Sequence, residues 1–279
     1  MTSLTRRLLT ATIAIPAALS VVFFAPGDLA FLVFFAIIFL AAIEMMPMAR
    51  AVAPTAPFGL LWVLIPLAAA MGFVAVRNGS GEVSIWTLLA ALSAVVTVTA
   101  CAMLLSGTDV RDGMAACGIM AFAIPYFALP PIFLYWLQDL DPWLLVALLG
   151  IVWMGDTGAF VVGNLMGRRK LAPELSPGKT WEGAVGGFAG SLLATAVWSL
   201  LRLGELHLGL MALAVVTAVV SQLGDLVESV FKRGAGVKDS SNLLPGHGGL
   251  FDRMDSTLLA TPIFVVGVQW LGVGGLMPA

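Results

Sequence analysis

Charge is what this chain has least of. Lys and Arg total 14 and Asp and Glu 16 in 279 residues, which is 11% of the chain, and the net charge is −2. No long basic or acidic run occurs, so the clustered positive surface that nucleic-acid phosphates require is missing and nucleic acid is excluded as a partner. Cysteine is nearly absent. Cys101 and Cys117 sit in apolar stretches without metal-type spacing, and they read as small buried hydrophobes rather than a disulfide or a zinc site. Arg6 and Arg7 precede an apolar run, but no convincing small-residue cleavage site follows Phe24, so the first hydrophobic segment is expected to be a retained helix and not a cleaved signal. No internal repeat is visible, and residues 1–141 hold no convergent set of polar side chains.

Hydrophobic residues make up 60% of the chain and the mean hydropathy is +1.01. A single water-soluble core cannot bury that much apolar surface without leaving large greasy patches outside. The fold class that follows is an all-α, polytopic membrane protein. A crossing needs roughly 20 apolar residues of helix, and the sequence divides into nine such segments, near 8–24, 29–47, 58–76, 83–105, 113–137, 142–166, 181–203, 209–231 and 256–276. The fifth contains Pro125, Pro130 and Pro131, which are expected to kink it or end it early. Nine crossings also sort the charges. With the amino terminus in the cytoplasm, twelve of the 14 basic residues fall inside and only Arg77 and Arg202 fall outside, as the positive-inside rule asks. The carboxyl terminus then lies outside.

The chain has two parts of different character: residues 1–141, a set of scaffold helices, and residues 142–279, a region with two longer cytoplasmic segments at 167–180 and 232–255. Every acid placed within or at the inner edge of a span lies in 142–255 except Glu44, so the second part is where function is expected. Asp156 falls in span six, and Asp225 and Glu228 fall in span eight. A carboxylate in hydrocarbon is costly, faces the protein interior, and commonly marks an ion, proton or substrate site. Ser221, Asp225, Ser229 and Lys232 recur at helical spacing, with Glu228 on the same side. A plainer reading pairs Asp225 with Lys232 and sends Glu228 to interfacial water.

After Lys232 and Arg233 the chain enters a loop rich in Gly, Ser and Asn that carries Lys238 and Asp239. It returns through Pro245-Gly246-His247-Gly248-Gly249 and Asp252-Arg253-Met254-Asp255. Glycines such as Gly248 and Gly249 let backbone N–H groups approach an anion. Lys and Arg neutralise phosphate oxygens, and carboxylates are the hard oxygen ligands that Mg²⁺ takes beside substrate phosphates. Asp252 and Asp255 are three apart, so both face one site if span nine has begun; otherwise they are acids capping a helix start. His247 is either a phosphate ligand or general acid, or a neutral turn residue. In the other segment Ser176, Lys179 and Thr180 can donate to phosphate. Arg168, Arg169 and Lys170 are accounted for by topology and lipid head groups.

These residues carry a resemblance. Ser229, Phe231, Lys232-Arg233, Lys238-Asp239, Ser241, Leu244-Pro245, His247-Gly248-Gly249 and Asp252-Arg253-Met254-Asp255 match the signature of the phosphatidate cytidylyltransferases at every spacing. Asp156 with Gly158-Ala159-Phe160, Ser176-Pro177 with Lys179-Thr180-Trp181-Glu182-Gly183, and Ser221-Gln222-Leu223-Gly224-Asp225-Leu226 also look like that family. Gly178 departs from it, standing where a second Lys is common, as does Asn164, where a basic residue often occurs. The resemblance covers about Asp156 to Asp255. It implies transfer of CMP from CTP to phosphatidate, giving CDP-diacylglycerol and pyrophosphate, at the cytoplasmic side of a bacterial-type plasma membrane. On the family pattern Asp225 and Asp252 hold the metal, Mg²⁺, with Asp156 and Asp255 as further acids for it and room for a second cation. Lys232, Arg233 and Lys238 face the triphosphate with Arg253, in the same loop region as Asp239 and His247. Ser176, Lys179, Thr180, Ser229, Gly248 and Gly249 address substrate, and a homodimer is carried by analogy. Two alternatives stay open on the residues alone: a secondary transporter using intramembrane acids, and a CTP-dependent lipid kinase that leaves CDP.

Overall fold

The computed structural model describes residues 3–78, 85–241, 243 and 248–272. Among these, nine α-helices follow one another: α1 Ser3–Phe24, α2 Gly27–Val52, α3 Leu61–Arg77, α4 Ile85–Leu105, α5 Val110–Leu140, α6 Pro142–Met166, α7 Trp181–Leu203, α8 Leu208–Gly234 and α9 Phe251–Trp270. Each overlaps one of the nine apolar segments, with ends that differ by up to six residues. Six stretches, in α2, α3 with its preceding 3-10 turn, α5, α6, α7 and α8, are long and apolar enough to cross a membrane. The polytopic, helical reading therefore stands.

Four expectations need correction. The segment 167–180 is not only loop: β1 Lys170–Ala172 pairs antiparallel with β2 Ser176–Thr180, with Lys170 opposite Thr180 and Ala172 opposite Ser176. Helix α5 runs unbroken through its three prolines for 31 residues, because at membrane depth neighbouring helices can re-satisfy the backbone groups that proline frees. The 232–255 segment is shortened from both sides, since α8 continues to Gly234 and α9 has already begun at Phe251. Cys101 is exposed and Cys117 half-buried rather than buried; an apolar side chain in a membrane helix has lipid as an alternative to a protein core.

The chain forms two compact units, each assembled from separated stretches. The first comprises 1–11, 28–135 and 231–252. Its core is aromatic: Phe31 stacks on Phe73 with centroids 4.1 Å apart, and Phe73 meets Tyr135 edge-on at 4.9 Å. Phe251, the first residue of α9, is fully buried and lies against Phe127 at 5.7 Å, which anchors the return of the loop from α8. Removing such a ring costs about 3–5 kcal/mol.

The second unit comprises 12–27, 136–230 and 253–279. Helices α6 and α7 run with their backbones in direct contact, since a Cβ on Gly158 would collide with the carbonyl of Gly186. Ser191 of α7 donates to the carbonyl of Ile151 at 2.7 Å. Small residues and hydroxyls at such a contact are what membrane helices use in place of a hydrophobic driving force. Away from the polar sites, both units expose large apolar side chains, among them Leu105, Met114, Leu201 and Leu208, which suits hydrocarbon as the solvent.

Candidate active site

In the second unit, two helices bring acids together and the hairpin brings a lysine to them. Asp225 and Glu228 sit one helical turn apart on α8, and Asp255 sits in the second turn of α9. Their carboxylate oxygens lie within 4.8 Å of one another. Gly224 makes this approach available: a Cβ there would stand 2.6 Å from the carbonyl oxygen of Asp255, so any larger residue would push α9 away. Glu228 is 1% exposed and Asp255 8%, and buried acids so close are a costly arrangement unless positive charge shares the space.

Lys179 brings such a charge. It reaches from β2 to Asp225 with Nζ 2.9 Å from Oδ2, and also donates to the carbonyl of Gln222 at 3.4 Å. Gln222 in turn donates to the carbonyl of Ala184 on α7 at 3.1 Å. The hairpin is held in place locally. Trp181 N–H donates to Arg169, and the Glu182 carboxylate accepts the backbone N–H groups of Arg168 and Arg169. Thr180 is buried, and its hydroxyl caps α7 by accepting from Gly183 N–H at 3.1 Å, so this side chain positions the helix that follows Lys179. Ser176 is half-buried in β2. Asp156, on the exposed side of α6, is within electrostatic reach of Asp225, Lys179 and Arg253.

In the first unit, α8 closes with its last turn folded on itself: Val237 N–H donates to Lys232 and Gly236 takes a left-handed φ of 73°, a conformation that costs glycine nothing. Lys232 Nζ lies 2.7 Å from Asp252 Oδ1. Asp252 Oδ2 accepts from the N–H of Ser240 at 3.1 Å, its hydroxyl at 2.9 Å, and the N–H of Gly249 at 2.7 Å. Arg233 donates to the carbonyl of Val237 at 3.1 Å. Lys238, Asp239 and Arg253 are exposed, and Ser229 is buried. His247 lies outside the described residues.

The two aspartates expected on one metal thus have different immediate company. Asp225 is grouped with Glu228 and Asp255 and paired with Lys179, whereas Asp252 is bonded to Lys232, Ser240 and Gly249. Of the two acids at the start of span nine, Asp255 joins the carboxylate group. Glu228 joins it too, an acid that the family pattern does not put on the metal. Its signal was the three-residue step from Asp225 on one helix face. The other residue that was missed is Glu44 of α2, 8% exposed. Its Oε1 accepts from Ser241 hydroxyl at 2.7 Å and Leu250 N–H at 3.0 Å, and its Oε2 from Ser240 hydroxyl at 2.9 Å and Phe251 N–H at 2.8 Å.

Three hard oxygen donors of net negative charge, brought within one cation's reach, fit a divalent ion such as Mg²⁺, which takes one or two carboxylates and completes its sphere from substrate phosphate and water. Residues 5–271 match the profile of the cytidylyltransferase family. The chain belongs to that family. It is similar to the phosphatidate cytidylyltransferase of Haemophilus influenzae, with 47% identity over 119 residues, 41% of each chain. The same named protein of Pseudomonas aeruginosa is 45% identical over 133 residues, 47% of this chain and 49% of the relative. That of Staphylococcus epidermidis is 51% identical over 116 residues, 40% and 44% respectively. The chain thus spans less than half the length of each of these relatives.

Proposed function

We propose that this cytidylyltransferase is a phosphatidate cytidylyltransferase, moving CMP from CTP to phosphatidate. The observation that carries the reading is the convergence of Asp225, Glu228 and Asp255 beside Lys179. It supports a cation site beside a positive charge suited to phosphate, in a helical membrane protein whose relatives carry that name.

The chemistry asks little covalent work of the protein. The phosphate of phosphatidate is already an anionic nucleophile. A phosphate oxygen forms a bond to the α-phosphorus of CTP, the bond from that phosphorus to the bridging oxygen of the β-phosphate breaks, and pyrophosphate leaves with the electron pair. The enzyme must bring two anions together in line and neutralise the charge that accumulates. Asp225, Glu228 and Asp255 would hold Mg²⁺, which supplies Lewis-acid neutralisation of phosphate oxygens when bound. Lys179 is placed to exchange its bond to Asp225 for one to substrate phosphate. Lys232, Arg233 and Lys238 serve the triphosphate, with Arg253, and Asp252 holds Lys232 and the loop ready for it. The metal role that the family pattern gives Asp252 requires Lys232 to release it, and Asp156 and a second cation belong to the same extension. Ser176, Ser229, Gly248 and His247 remain candidate substrate contacts.

The setting we propose is nine crossings with the amino terminus cytoplasmic and the carboxyl terminus outside, in a bacterial-type plasma membrane. The distribution of basic residues supports this, and it lets cytosolic CTP meet a membrane lipid. A homodimer follows by family analogy. The test is direct. Protein in detergent with Mg²⁺, α-labelled CTP and phosphatidate should yield labelled lipid. Label found only in soluble CDP would indicate a lipid kinase instead, and no turnover of CTP in the presence of lipid would remove the reading.

A further inference from the structure

We infer that Glu44, on helix α2 and far from the signature residues in sequence, is a positioning residue for the loop that carries Lys238 and joins Lys232 at the end of α8 to Asp252 at the start of α9; this rests on the catalytic reading above. Four donors converge on its carboxylate: two hydroxyls, Ser240 and Ser241, and two backbone N–H groups, Leu250 and Phe251. Together they pin both ends of the stretch from Ser240 to Phe251. The same Ser240 hydroxyl lies 2.9 Å from Asp252 Oδ2. A hydroxyl has one proton to give, so Ser240 is a shared link between Glu44 and the carboxylate that binds Lys232.

The packing around Gly249 points the same way. Gly249 is buried, and a Cβ there would collide with both the Ser240 hydroxyl and the Glu44 carboxylate. The residue has no room for a side chain because the latch passes directly over it. Gly248 adds the turn, with a left-handed φ of 76° and a virtual Cβ 2.7 Å from Asp252 Oδ2. Glu44 therefore does not need to touch substrate to matter. It fixes the path of the loop, and with it the position from which Asp252 holds Lys232.

Glu44→Gln keeps the size of the side chain but replaces one acceptor oxygen by a donor, so two of the four bonds are lost. Outer-shell partners of this kind typically set activity by about 10–100-fold. The expectation is a fall in kcat in that range that exceeds any change in the KM for CTP or phosphatidate, because the Glu44 carboxylate is spent on the loop's own donors. Glu44→Asp keeps the charge and should recover part of the loss. A second measurement is independent of turnover: hydrogen–deuterium exchange of full-length protein in detergent. The peptide containing Leu250 and Phe251 should exchange faster in Glu44→Gln and in Gly249→Ala, while peptides of α6 and α7 remain as in the parent.

Wild-type protein assayed alongside separates the two claims. If wild type makes no labelled lipid, the functional reading fails, and the exchange data still judge the latch. If wild type is active and Glu44→Gln matches it in both kcat and exchange, Glu44 has no positioning role. Faster exchange with unchanged kcat would also overturn the inference, since the loop's path would then not govern turnover. If Glu44→Gln fails to fold, Gly249→Ala carries the same two readouts with Glu44 itself intact.

Discussion

Two groups of carboxylates, one in each unit, keep different company. In the second, Asp225, Glu228 and Asp255 face one another around a point that Lys179 approaches. In the first, Glu44 and Asp252 face donors: Ser240, Ser241, Leu250 and Phe251 for Glu44, and Lys232, Ser240 and Gly249 for Asp252. A carboxylate surrounded by donors is satisfied and makes backbone geometry. Carboxylates surrounded by carboxylates store charge that a cation relieves. The same side chain is thus a structural fastener in one place and, on the proposed reading, a cation receptor in the other, and what separates the two is the company it keeps.

That contrast can be broken most sharply at the receptor. Asp225→Asn and Asp255→Asn should each lower labelled-lipid formation by on the order of 10³-fold, as removal of a charge-stabilising group does at a preorganised site, with the melting temperature unchanged or raised. Parental activity in either variant would reduce the cluster to a set of buried acids. Next, chelation of divalent ions should abolish turnover, and restoring Mg²⁺ to about 100 times its Kd should stabilise the protein by about 2.7 kcal/mol, read as a rise in melting temperature. Asp225→Asn should lose that rise; if it keeps it, the ion binds elsewhere.

Smaller effects sharpen the comparison. Lys179→Met removes the charge beside Asp225 and a phosphate donor together, and the KM for CTP or phosphatidate should rise by about tenfold, the worth of one charged hydrogen bond at about 1.4 kcal/mol; an unchanged KM for both would confine Lys179 to a resting ion pair. The smallest functional effect is expected at the amino-terminal end of α6. Asp141 caps α6 by accepting from Trp143 N–H at 2.8 Å and pairs with Arg202 at 3.1 Å. Asp141→Ala should cost about 1–2 kcal/mol of stability and leave kcat as it was; a large loss of kcat would show that the capping end of α6 communicates with the site.

Much of this was legible in the residues. The segments at 142–166 and 181–203 coincide with α6 and α7, because Asp141 before Pro142 and Thr180 before Trp181 are capping signals at sharp changes of hydropathy. Helix α9 began five residues earlier than its apolar run, since Phe251 is drawn into an aromatic core that no local pattern announces. The hairpin was seen only as turn residues: three- and five-residue strands are too short to show a period of two. Asp225 was legible as a polar break in an apolar helix. Its grouping with Asp255 depended on how closely α8 approaches α9 at Gly224. Glu44 was noticed and left without a role, because its partners lie 196–207 residues away and hydrogen bonds over such separations leave no trace in spacing.

The latch also has a consequence for biosynthesis. Glu44 is made and threaded into the bilayer long before Ser240, Leu250 or Phe251 leave the ribosome, so for most of translation its carboxylate has none of its final donors. The nascent protein carries an unsettled acid in α2 until almost the last helix is delivered, and the loop between α8 and α9 acquires its shape only at that moment. A chain halted before residue 240 would therefore hold an acid in α2 without these four donors, the kind of defect that quality-control proteases are suited to find.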